Sequence, residues 1–213
     1  MTEIAGIIPA GGNAERFRGL AKEMLPVSAD DCALTRVIRA MRNGDAREIY
    51  VASRHDRVTE HYRVTQHIKN VNIMAFGFRG LWDVIAVIGE KARADFYYFA
   101  MADTVFPLDT FARDTSHDVT CGAFYTDKPS RFGILGTNRI VDKSPDLIGD
   151  AWGVWIWTAD AMEFLVRACR ETQDHTAALN KLLERFGLDI FWMSYYYDFA
   201  SFDDYAEFLC SHT

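Results

Sequence analysis

The segment that most constrains the fold is Ile4 to Pro9, a short apolar run that passes straight into Ala10-Gly11-Gly12. A run of that length predicts a buried strand, and the glycines at its end let the backbone turn sharply. After a polar stretch, Leu34 to Met41 carries apolar residues at the three-to-four spacing of a helix with one buried face. The same alternation continues downstream. Glu48 to Ala52 predicts a strand, Asp56 to Ile68 a helix and Val71 to Ala75 another strand. Leu81, Val84, Ile85 and Ile88 form one stripe on a helix ending near Ala92, and Phe96 to Met101 is a nearly continuous apolar strand. Such alternation predicts a parallel sheet covered by helices on both faces.

The second half is richer in strands. Val119 to Tyr125, Phe132 to Leu135, Ile140 to Val141 and Trp152 to Trp157 are candidates, punctuated by turns at Lys128-Pro129 and Ser144-Pro145. Helices are expected over Asp160 to Thr172 and Thr176 to Phe186, then extended chain from Asp189 to Tyr197 and a closing helix from Phe202 to Leu209. No repeat or low-complexity linker divides the 213 residues, so one mixed α/β domain is expected.

Composition narrows the function. With 30 acidic against 23 basic residues and a net charge of -7, affinity for a nucleic-acid backbone is not expected, and any phosphate binding must be local. Met1-Thr2-Glu3 enters the first strand with no basic segment or cleavage site, and no later stretch approaches a membrane span, so a cytoplasmic protein without membrane contact is expected. Cys32, Cys121, Cys169 and Cys210 lie far apart and form no C-x-x-C pair, which fits buried thiols in a reducing compartment.

Four segments carry candidate chemistry. In Pro9-Ala10-Gly11-Gly12-Asn13-Ala14-Glu15-Arg16-Phe17-Arg18-Gly19-Leu20-Ala21-Lys22-Glu23-Met24-Leu25-Pro26, the glycines can aim backbone N–H groups at an anion while Arg16 and Lys22 supply positive charge. A surface turn with solvated charges has the same composition. Asp103, in Phe99-Ala100-Met101-Ala102-Asp103, ends a buried strand at the edge where open α/β sheets bind ligands; it suits a hard cation such as Mg²⁺ or caps a following helix. Asp142-Lys143-Ser144-Pro145 and Trp152-Gly153 lie in the strand-rich half, where a charged turn and a strand glycine are the alternative explanation. Tyr197-Asp198-Phe199-Ala200-Ser201 precedes the last helix; Ser201 and Asp204 make a helix cap that leaves Asp198 unexplained. His55, His61 and His67, spaced by six, share no helix face, and no histidine is expected to act as ligand or base.

In order and spacing these segments resemble the sugar-phosphate nucleotidyltransferases, or NDP-sugar pyrophosphorylases, with their Gly-Gly-x-Gly-Thr-Arg loop, Pro-Lys and Leu-Pro elements. The chain departs from that pattern at Asn13-Ala14-Glu15, at Ala21 and at Ala200-Ser201. The resemblance implies a three-layer α/β/α sandwich with a mostly parallel mixed sheet, of the nucleotide-diphospho-sugar transferase type. It implies a nucleotide-binding half over residues 1–115 and an acceptor-binding half over residues 116–213. Arg16, Lys22 and Asp103 fall at catalytic positions. Ala10, Gly11 and Gly12 fall at the phosphate loop, and Gly80 and Leu81 at a base-contacting Gly-Leu-Ala-Asp-Ala element, where Trp82 either narrows the pocket or packs on the sheet. Lys143 and Gly153 fall at acceptor contacts. Asp103 and Asp198 fall at the ligands of Mg²⁺ or Mn²⁺. The implied reaction is transfer of a nucleoside monophosphate from an NTP to a phosphorylated acceptor such as a sugar 1-phosphate, by a monomer or small homo-oligomer. An NDP-sugar-dependent glycosyltransferase and a non-catalytic binding module are the alternative readings.

Overall fold

The structure, a computed structural model, describes residues 2–12, 17, 20–75, 77, 79–113, 116–136, 139–143 and 149–212. The parallel half of the sheet comes from β1 (Ile4–Ala10), β2 (Glu48–Ser53), β3 (Val71–Ala75) and β4 (Phe96–Ala100). Three helices connect them: α1 (Ala33–Asn43), α2 (Val58–Thr65) and α3 (Leu81–Lys91). The remaining strands of the main sheet are β6 (Val119–Thr126), β7 (Gly133–Leu135), β8 (Ile140–Asp142), β9 (Gly149–Thr158) and β10 (Asp189–Trp192). The helices α4 (Ala159–Thr172), α5 (His175–Phe186) and α6 (Phe202–His212) complete the fold, with a separate two-stranded ribbon of β5 (Thr104–Val105) and β11 (Tyr197–Asp198).

The main path runs β10-β6-β9-β4-β1-β2-β3, and β7 and β8 extend it from β9. Neighbours along this path are parallel except for β9, which is antiparallel to both β4 and β6; off the path, β8 is antiparallel to β7 and runs in the same direction as β9. The expected mostly parallel mixed sheet is the one observed.

Alternation along each strand feeds two cores, because successive side chains point to opposite faces. Ala5, Ile7, Tyr97, Phe99, Trp155 and Trp157 pack with residues of α3, α4 and α5 on one side. Ile8, Tyr98, Val154 and Ile156 pack with Leu34, Val37, Ile38 and Met41 of α1 on the other. This is the three-layer sandwich. Helix ends follow local chemistry. Thr35 Oγ1 accepts from the Cys32 N–H (3.0 Å) at the start of α1, and Asp174 Oδ1 accepts from the Ala177 N–H (2.7 Å) at the start of α5. Among the described residues no helix is long and apolar enough to cross a membrane.

The structure departs from the sequence expectation at short elements. The expected helix over Asp56 to Ile68 is only Val58–Thr65, and the expected extended chain over Asp189 to Tyr197 divides into β10 and β11. No helix follows Asp103: the chain continues as β5, so Asp103 is not a helix cap. The Ser201 cap of α6 is present, with the Asp204 N–H donating to Ser201 Oγ at 3.3 Å.

Gly44, which ends α1, shows how tightly the second core is closed. A Cβ placed there would stand 2.5 Å from the Phe111 carbonyl oxygen and 2.7 Å from its carbonyl carbon, which are backbone atoms with little freedom to retreat. The Gly44 carbonyl also accepts a hydrogen bond from the buried Tyr98 hydroxyl at 2.8 Å. Gly44→Ala is therefore expected to cost about 2–3 kcal/mol in urea denaturation, as overpacking does. Gly12→Ala, whose Cβ would meet nothing within 4 Å, should stay within about 0.5 kcal/mol of the parent. Equal stability of the two variants would contradict the packing assigned to Gly44.

Candidate active site

Because β1 and β4 are parallel neighbours, their carboxyl ends leave the sheet on the same edge. The Ala102 N–H donates to the Pro9 carbonyl at 3.2 Å and holds the two exits together. The glycines after β1 and the aspartate after β4 thereby flank one cavity of about 280 Å³. Its polar wall contains Gly11, Gly12, Lys22 and Asp103; Gly80, Leu81, Val84 and Met101 supply a more apolar side. Lys22 starts a short 3₁₀ turn (Lys22–Met24), and its ammonium forms an ion pair with Asp103 Oδ2.

The second carboxylate reaches the same place by strand pairing. In the β5–β11 ribbon Asp198 stands opposite Thr104, and the Phe199 N–H donates to the Asp103 carbonyl at 3.1 Å. Burial and the negative charge of Asp103 push the Asp198 carboxyl above its ordinary value, against the pull of Arg131 and Lys22. Arg131 donates to Asp198 Oδ2 at 2.7 Å, to the Asp198 carbonyl at 3.0 Å and to Asp204 Oδ1 at 2.6 Å. Two ion pairs, Lys22 with Asp103 and Arg131 with Asp198, thus stand close to one another.

The residues expected from sequence distribute as follows. Ala10, Gly11, Gly12, Lys22, Gly80, Leu81 and Asp103 line one cavity, and Asp198 adjoins it. Arg16 lies outside the described residues. Lys143 stands exposed at the end of β8, its positive charge felt by His175 of α5, and is not part of the cavity lining. Gly153 of β9 is filled over rather than open: a Cβ there would stand 2.6 Å from both Tyr196 and Met193. Trp82 is buried against the sheet and against Gly80, with the Arg79 guanidinium 4.8 Å above its ring, so it packs rather than lining the cavity. Among the described residues no three His, Cys, Asp or Glu side chains gather into a metal cage. A pair of carboxylates completed by substrate phosphates is the donor set that suits Mg²⁺.

Several residues at the site were not expected from sequence. Arg131 ends the turn that begins at Pro129, and no motif announces its two aspartate partners. Glu23, beside Lys22, also lines the cavity, and its carboxylate is buried. Glu23 Oε1 lies 2.9 Å from His61 Nε2 and accepts from Arg57 at 3.1 Å, while His61 Nδ1 lies 2.8 Å from Ser53 Oγ. Burial alone would raise the Glu23 carboxyl; the hydrogen bond from His61 and the charge of Arg57 outweigh it and leave the group below its ordinary value. In sequence His61 is only one of three histidines spaced by six, none of them expected to act as ligand or base.

No protein of curated function matches the chain at significant similarity. Among solved structures, one like it is a Bacillus anthracis protein assigned as a glucose-1-phosphate thymidylyltransferase, crystallised in complex with sucrose. It superposes with a TM-score of 0.82 at 16% identity, over 98% of this chain and 94% of that one. At that identity the likeness speaks for the fold. A family model for MobA-like NTP transferase domains matches residues 6–152, which span the glycine loop, Lys22, Gly80 and Asp103. The chain belongs to the family of MobA-like NTP transferase domains.

Proposed function

We propose that this nucleotidyltransferase moves a nucleoside monophosphate from an NTP to a phosphorylated small molecule, a sugar 1-phosphate, with Mg²⁺ or Mn²⁺ held by Asp103 and Asp198. The observation that carries the reading is the single cavity in which the glycine loop, Lys22 and Asp103 meet the Gly80-Leu81 turn. Gly12, with open space where a side chain would stand, lets phosphate oxygens approach the backbone. Lys22 is placed to neutralise the departing β- and γ-phosphates, and the apolar side at Leu81, Val84 and Met101 offers a surface for the base. The Bacillus anthracis protein, assigned to glucose 1-phosphate, supports a sugar phosphate as acceptor.

In this reading an oxygen of the acceptor phosphate attacks the α-phosphorus, the bond from that phosphorus to the bridging oxygen breaks, and pyrophosphate leaves. No general base is required, because the attacking oxygen is already anionic, so alignment and charge neutralisation carry the catalysis. A bound divalent cation would offset the charge of the triphosphate and of the departing pyrophosphate. Asp103 and Asp198 would hold it, and Lys22 and Arg131 pair with those carboxylates. Arg16, by its place in the loop, would add a further positive charge at the leaving group.

Pyrophosphate release from each NTP with a panel of phosphorylated acceptors tests the reaction directly; release with none of them would overturn it. Lys22→Ala is expected to lower kcat about a hundredfold, as loss of one charge-stabilising donor does. Its melting transition should barely move, because the ion pair it loses is partly solvated. Arg16→Ala should behave alike. Asp103→Asn should abolish turnover and leave the chain folded, since it relieves repulsion with Asp198; near-normal turnover would remove Asp103 from the mechanism. Chelation should stop the reaction, and added Mg²⁺ or Mn²⁺ should restore it. Persistence of full activity after exhaustive chelation would exclude the cation.

A further inference from the structure

We propose that Glu23, His61, Arg57 and Ser53 form a buried mount that positions Lys22 in the cleft, making Glu23 and His61 positioning residues for triphosphate binding. The inference rests on the reading of Lys22 as a phosphate-binding residue.

The cluster is polar where an apolar filling would serve packing equally well. Glu23 is 4% exposed, Arg57 6%, and His61 and Ser53 0%. Charged groups removed from water this fully are retained at a cost that only good pairing offsets, and what they add is direction. Here the direction is specific. Ser53 is the last residue of β2 and stands opposite Ala10 in the β1–β2 register, at the root of the glycine loop. From Ser53 the chain of contacts runs to His61 on α2, then to the Glu23 carboxylate, which Arg57 grips from a second side at 3.1 and 3.4 Å. Lys22 is the adjoining residue. The two walls of the cavity are therefore joined from behind through side chains.

Backbone bonding does not do this. The Met24 N–H donates to Ala21 and the Leu25 N–H to Lys22, both at 3.0 Å and both inside the turn. Leu25 in turn accepts from Ala33 of α1. Among the described residues, the turn's backbone bonds reach neither β1 nor β2. Proton placement favours the same anchor. The surroundings hold the Glu23 carboxylate ionised, so it can only accept, and the hydrogen bond at 2.9 Å is donated by His61 Nε2–H.

The test compares wild type, Glu23→Gln, Lys22→Ala and the double variant by two measurements: affinity for inorganic tripolyphosphate, and amide hydrogen exchange across Lys22–Leu25. Each single substitution should weaken tripolyphosphate about tenfold, and the double should be no weaker than Lys22→Ala alone, since Glu23 acts through Lys22. Exchange across the turn should rise about tenfold in Glu23→Gln and stay unchanged in Lys22→Ala. Losses that multiply in the double variant, or wild-type exchange in Glu23→Gln, would overturn the mount. Ser53→Ala removes the far end and leaves the Glu23–Arg57 pair; it should weaken tripolyphosphate about threefold and decides the matter should Glu23→Gln fail to fold. Failure of the wild-type chain to bind tripolyphosphate or any NTP would instead sink the functional reading of Lys22, and unchanged exchange would sink the mount by itself.

Discussion

Parallel pairing between β1 and β4 is the constraint on which everything else depends. Their register sets Ile7 beside Phe99 and commits both strands to burial on two faces, one packed by α3, α4 and α5 and the other by α1. Once both strands point the same way, their exits share an edge. Gly11, Gly12 and Asp103, widely separated in sequence, then flank one cavity, with the exits joined by the Ala102 N–H on the Pro9 carbonyl. The ribbon of β5 and β11 extends the same logic. Two residues of pairing bring Asp198 back from near the end of the described chain to the strand exit that Asp103 marks.

Electrostatically, the site pairs its charges within the protein. The chain as a whole is acidic, with a net charge of -7, so a polyanion meets no general attraction and must be met locally. Lys22 and Arg131 supply that local charge, and each pairs with a carboxylate. Such pairing leaves neither cation uncompensated, and groups already oriented by their partners need little reorganisation to meet an anion.

Much of this was legible because it is local. The apolar run into Ala10-Gly11-Gly12, the stripe on α3 and the strand that ends before Asp103 each declare themselves within a dozen residues, and their order supplies the topology. Asp198 was legible only through its surrounding segment, and its proximity to Asp103 needed the fold. The Glu23, Arg57, His61 and Ser53 cluster was not legible at all. Its members come from a turn, a loop, a helix and a strand, and a buried carboxylate reads in sequence like a solvated one. Arg131 is hidden for the same reason, since its partners lie far downstream. Gly153 shows a limit of another kind: a glycine in a strand signals close approach without naming the group that approaches, here Tyr196 and Met193 of the protein itself.

The reversed central strand β9 sets the timetable of folding. β9 is hydrogen-bonded to β4 on one side and to β6 on the other, so it is the seam through which the early, parallel strands join the later ones. As the chain emerges from the ribosome, β1 to β4 can assemble in turn, but β4 keeps an unpaired border until residues 149–158 arrive. Contacts this distant in sequence are slow to form, and an apolar border left open meanwhile is a place for a chaperone or another nascent chain to attach. Asp198 comes later still. A nascent chain would thus hold its glycine loop and Asp103 well before it could close the site.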